Sequence, residues 1–190
     1  PPRRLDPRAD AQRARRALPR CRRSRGAEGV LRGDPEAAAA AGRTAGQNFQ
    51  WAAALGGTST EEGVSIATDK IGNVYTTGVF YGSADFDPGP SNQILVSSGM
   101  GDVFVSKLNS SGSFAWANRI GGPGSDMGFA ITTDPNGNVF VAGLFSDTVD
   151  FDPGPGTFTL ASASSFHLNT FIVKLSPWGS LLWAKCLNYV

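Results

Sequence analysis

Six residues, Asp85-Phe86-Asp87-Pro88-Gly89-Pro90, return unchanged 65 positions later as Asp150-Phe151-Asp152-Pro153-Gly154-Pro155. The surrounding sequence returns with them. Trp51-Ala52 recurs as Trp116-Ala117, Gly56-Gly57 as Gly121-Gly122, and Asp69 to Tyr75 as Asp134 to Phe140, all at the same offset. From Val103 onward the offset becomes 67, the second copy having gained two residues near His167, so that Phe104 to Leu108 aligns with Phe171 to Leu175 and Trp116-Ala117 with Trp183-Ala184. This many coincidences in register signal a duplicated unit, and so a repeat architecture.

Inside each unit, short runs alternate apolar and polar residues or are rich in β-branched and aromatic ones. They predict strands over 64–68, 73–80, 103–108 and 114–120, and again over 129–133, 138–145, 170–175 and 181–185. Turn chemistry separates them. Asp69 and Asp134 stand where a carboxylate can accept backbone N–H groups, and Gly72 and Gly137 stand where the chain needs a positive φ. No helical periodicity follows residue 46. The expected fold is all-β: two four-stranded antiparallel β-propeller blades, an incomplete propeller, preceded by a disordered Arg-rich segment. Trp116 is expected to pack between blades, and the Gly-Gly pairs to let blades pass closely. Phe49 to Leu55 reads as one extra Trp-bearing strand, the counterpart of the last strand of a preceding blade.

The order Trp-Ala, Gly-Gly, Ile-Ala-Thr-Asp, Gly-Asn-Val-Tyr, Thr-Gly-x-Phe, Asp-x-Phe-Val-x-Lys-Leu, Gly, Trp-Ala resembles the bacterial seven-bladed β-propeller repeat known as SBBP. The resemblance covers residues 51–185. It divides residues 47–190 into repeats at about 51–115 and 116–182, with the start of a third at 183. It implies a secreted or cell-surface protein, and so an extracellular or surface location, although no signal peptide is visible. The DFDPGP insertion makes each unit longer than the usual repeat of that family.

Residues 1–46 are different. They hold 12 of the 17 basic residues, all Arg, against 5 of the 16 acidic ones, so a positive segment precedes a negative body. With no aromatics and few large aliphatics, the segment lacks the apolar area to offset the entropy of ordering. Clustered Arg suits phosphate binding, but no aromatics interleave and no nucleic-acid module follows, so nucleic acid is not read as a partner. The composition equally suits a GC-rich stretch read through from a wrong start site or frame. A first residue of Pro1 rather than Met suggests a fragment. No run approaches the ~18 apolar residues of a membrane span.

Catalytic signals are missing from the pattern. His167 is the one histidine; it lies in the irregular insert and reads as a solvated loop residue, so no triad or histidine cluster is available. Cys21 and Cys186 make neither a disulfide framework nor a metal spacing. Lys107 and Lys174, at equivalent positions, read as structural, with an inter-strand ion pair expected. Asp85, Asp87, Asp150 and Asp152 have two readings. Carboxylates at i and i+2 before a Pro-Gly turn can converge on Ca²⁺; otherwise they cap backbone N–H groups in turns anchored by Phe86 and Phe151. No cofactor other than Ca²⁺ is suggested and no catalytic residue is assigned. The expected function is a non-enzymatic propeller module binding a protein or glycan partner, with self-association through its uncovered faces. The alternative is a fragment of a carbohydrate-active or lyase-type propeller enzyme whose catalytic residues lie in other blades.

Overall fold

The computed structural model describes residues 49–162 and 167–187; the expectations for residues 1–46 lie outside them. Two four-stranded antiparallel sheets carry the fold. The first is formed by β2 (Glu61–Thr68), β3 (Val74–Phe80), β6 (Asp102–Leu108) and β7 (Phe114–Ile120). The second is formed by β8 (Met127–Thr133), β9 (Val139–Phe145), β12 (Asn169–Leu175) and β13 (Leu181–Leu187). Each is a meander whose strands lie in chain order, and no helix occurs among the described residues.

The first tight turn of each sheet is built by its aspartate. Asp69 Oδ1 accepts the N–H groups of Ile71 and Asn73 at 3.1 and 3.0 Å, and its other oxygen accepts the Asn73 amide at 2.7 Å. Gly72 completes the turn at φ 83° and Gly137 does so at φ 80°, a region where a side chain is strained. Asp134 repeats the bonds with Asn136 and Asn138.

Two details depart from the expected meander. The link between the second and third strands is not a plain hairpin: it contains a two-stranded ribbon, β4 (Ser83–Asp85) with β5 (Ile94–Val96) in the first blade and β10 (Thr148–Asp150) with β11 (Thr159–Ala161) in the second. The DFDPGP block is the crown of this ribbon. The second departure concerns Phe49 to Leu55, which forms no strand. A strand exists only where a ladder partner accepts its backbone bonds. Regular pairing begins only at β1 (Gly56–Gly57), which joins β4 with Gly56 opposite Asp85. Gly121 bridges Asp150 in the same way.

The blades stack face to face. Tyr75, Val103, Val105 and Ile120 of the first share one buried cluster with Ile131, Val139, Val141, Phe145, Phe171 and Val173 of the second. Because strand side chains alternate between faces, each blade has a second face bearing the repeat equivalents of its neighbour's contact residues. There the burial differs. Ile131 is 8% exposed between the blades, whereas its equivalent Ile66 on the far face of the first blade is 67% exposed. Ile120 is 1% exposed and its equivalent Leu187 is 51% exposed.

Candidate functional site

The seam between the blades and the rim where their turns meet concentrate the polar chemistry. Trp116 spans the seam as expected. Its Nε1 donates to the Pro177 carbonyl at 3.0 Å, and its ring stands edge-on to Tyr75 at a centroid distance of 6.2 Å. A Cβ on Gly179 would press on the same ring. Trp51 does the equivalent on the first blade, donating to Ser110 at 3.0 Å with its ring against Gly112. The Gly-Gly pairs allow the close passage anticipated for them: a Cβ on Gly122 would overlap the Thr148 carbonyl oxygen, and one on Gly57 the Ser83 carbonyl oxygen.

The two equivalent lysines part company. Lys174 forms the expected ion pair, with Asp134 at 3.3 Å, and lies over the Phe140 ring at 4.8 Å. Lys107 does not. It lies over the Tyr75 ring at 5.1 Å and donates to the Pro177 carbonyl at 3.1 Å, the oxygen that Trp116 also uses. The turn of the second blade thus takes Lys107 away from its own carboxylate. Burial holds the Lys107 ammonium below its ordinary value, against the pull of the Asp69 charge. Burial likewise pushes the Tyr75 phenol up to about 12, and its bond to Asp69 adds to this. Asp134 is held down to about 2, first by the Asn138 amide and then by its backbone bonds and Lys174.

A cavity of about 290 Å³ lies between the turns of Asp69 and Asp134, walled by Ile71, Tyr75, Lys107, Asn136 and Pro177. Next to Pro177 in the chain, Trp178 is 80% exposed at the tip of its turn. The equivalent residue of the first blade is Ser111, so the repeat itself does not require an aromatic ring there.

Asp85, Asp87, Asp150 and Asp152 bind their own loops. Asp85 Oδ1 accepts from Asp87 and Gln93 at 3.0 and 2.9 Å, and Asp87 Oδ1 from Gly89 at 2.7 Å. Asp150 accepts from Asp152 and Phe158, and Asp152 from Gly154. Phe86 and Phe151 are buried beneath them. Among the described residues, no group of three or more His, Cys, Asp or Glu is placed to hold a metal ion. His167 is exposed, and its carbonyl accepts from Ser162.

Sequence reasoning missed a buried carboxylate pair across the seam. Asp102 Oδ2 accepts Arg119 at 2.6 Å and the Ser98 N–H at 2.9 Å, while its Oδ1 is buried without a partner. Asp126 accepts the N–H groups of Gly122 at 2.8 Å and Ser146 at 3.3 Å. Asp102 opens the Asp-Val-Phe-Val stretch whose equivalent in the second unit begins with Asn169, and nothing in the sequence pairs it with Asp126. Burial pushes the Asp126 carboxyl up to about 6, with Asp102 adding to the shift and the two N–H bonds and Arg119 opposing it. A carboxyl raised in the folded state stabilises the fold below its unfolded value of 3.8 and loses that contribution as pH rises through about 6. The melting temperature is therefore expected to fall by several degrees between pH 4 and 6.5, and Asp126→Asn to flatten the slope. A parent profile that is level or rises over this window contradicts it.

A four-stranded meander stacked face to face on its own duplicate defines a β-propeller repeat protein. Residues 115–144, from the last strand of one blade into the second strand of the next, match the family model described as a β-propeller repeat, SBBP. An uncharacterized WD repeat-containing protein of Acanthamoeba polyphaga mimivirus is 33% identical over 152 residues, which cover 72% of this chain and 10% of that relative. The chain thus spans about a tenth of the length of the curated relative it matches. No helix among the described residues is long and apolar enough to cross a membrane.

Proposed function

We propose that this chain is a non-enzymatic β-propeller module of a secreted or cell-surface protein, and that it binds a protein or glycan partner at the rim of its blade seam. The observation that carries this reading is the contrast between repeated and unrepeated residues. The repeated polar groups are committed to structure: Asp69 and Asp134 close turns, Trp51 and Trp116 bond to the turns they pack on, Lys174 pairs with Asp134, and Lys107 donates to the Pro177 carbonyl. Trp178 is unrepeated, exposed and adjacent to the cavity wall, as a recognition residue is. Apolar residues left exposed on the outer sheet faces, Ile66 on the first blade and Leu187 on the second, also favour self-association.

A glycan array and immobilised candidate proteins, probed with the labelled chain and with Trp178→Ala, test the reading. Binding by the parent that falls at least ten-fold in the variant supports it; equal binding by both removes the rim from the account. Release of reducing ends or unsaturated products from any glycan on the array would show an enzyme instead.

A further inference from the structure

Residues 49–57 lie where the last strand of a neighbouring blade would lie, but among the described residues they join no four-stranded sheet. Trp51 holds one end of this segment on Ser110 and Gly112, Leu55 packs beside Phe80, Phe86 and Phe104, and Gly56–Gly57 holds the other end on β4. Between these anchors Ala52 to Ala54 are exposed and unpaired. Beside the segment a cleft of about 310 Å³ remains open, lined by Leu55, Ile66, Val74, Phe86, Phe104 and Leu108.

The chemistry that fits this cleft is visible within the chain. The equivalents of Ile66, Val74, Phe104 and Leu108 are Ile131, Val139, Phe171 and Leu175, and these are buried by Tyr75, Val105, Trp116 and Ile120 of the first blade. The equivalents of that covering set, Phe140, Ile172, Trp183 and Leu187, form the far face of the second blade, where Leu187 is half exposed. The far face of the second blade therefore presents the donor half of the internal seam and the far face of the first blade its acceptor half. Such a pair makes a heterologous, head-to-tail contact between copies.

A second copy cannot occupy that acceptor freely. Its Trp183 needs the Ser110 carbonyl and the surface of Gly112, and Trp51 holds both. We propose that residues 49–57 are a built-in competitor that blocks the first blade from docking the second blade of another copy of this chain, so that assembly requires the segment to peel away. The segment has little to hold it, having two glycine-backed anchors and no ladder between them. The inference rests on the self-association proposed above, and identifies its partner, its register and its control.

Sedimentation velocity over a concentration series tests it, on the full chain with circular dichroism as the check on folding. Trp51→Ala should tighten association at least ten-fold over the parent, and Leu187→Asp should abolish it in both backgrounds. A synthetic peptide of residues 49–57, added to Trp51→Ala, should return it to monomer; this arm also guards against a variant that associates because it has unfolded. Association of the parent that Trp51→Ala leaves unchanged or weakens would overturn the competitor while leaving self-association standing. Monomers throughout, at several hundred micromolar, would overturn both.

Discussion

Trp116→Ala is expected to lower the unfolding free energy by roughly 3 kcal/mol, within the range for removing a large aromatic from a packed site. Three losses combine. The indole leaves a gap beside Tyr75 and Gly179, the Pro177 carbonyl keeps only Lys107 as a donor, and the buried cluster shared by the blades opens at its margin. Because that cluster is what couples one sheet to the other, unfolding should also change from one transition to two. Trp183→Ala removes the same side chain from the equivalent strand and is expected to cost no more than about 1 kcal/mol. Trp183 touches Phe140 edge-on at 6.1 Å and Lys185 lies over its ring, but no described residue stands where Pro177 stands for Trp116. Chemical denaturation of the two variants beside the parent decides the matter. Equal losses would mean that tryptophan stabilises each blade separately and that the seam contributes little.

Gly122→Ala is expected to do comparable damage by the opposite route, about 3 kcal/mol from a single added methyl. The Cβ would overlap the Thr148 carbonyl oxygen, which is backbone in a strand held in register by the ribbon, so neither side can yield without parting Gly121 from Asp150 and disturbing the Gly122 bond to Asp126. Gly63→Ala is the control. A Cβ there meets only the Thr76 methyl at 3.6 Å, an ordinary contact, so its melting temperature should stay within a degree or two of the parent. A Gly122→Ala protein as stable as Gly63→Ala would mean that the blades stand further apart than the structure places them.

The sequence carried the parts of this fold that are made locally. Asp69-x-x-Gly72-Asn73 specifies its turn through one carboxylate and one positive φ, so it can be read without knowing what surrounds it. Facing was legible for the same reason: alternation alone puts Val139 and Val141 on one side and Phe140 on the other. The rest depended on neighbours. Three-residue strands such as Ser83–Asp85 have too little length for a period, so the ribbon hidden in the DFDPGP insertion did not show. Phe49 to Leu55 has the sequence of a strand and lacks a ladder. Lys107 and Lys174 are the same residue in the same motif, and only the adjacent turn sends one to a carbonyl and the other to a carboxylate. Asp102 and Asp126 lie in different repeats, so the effect of one charge on the other is not contained in either repeat alone. Trp178 sits in a Ser-Pro-Trp-Gly turn that was readable as a turn, but the sequence did not say which way its ring would face.

The most direct measurement is the proton NMR contact map of the Trp116 indole. Stacked blades require nuclear Overhauser contacts from the Trp116 Nε1–H to Pro177 and Gly179, together with upfield ring-current shifts of the Gly179 Hα protons. The Trp51 indole should show the matching pattern at Ser110 and Gly112. Residues 61 positions apart reach each other in this way only if one blade lies face to face on the next. Contacts from Trp116 confined to residues 102–122, with Gly179 at ordinary shifts, would show two sheets that fold separately and do not stack as propeller blades.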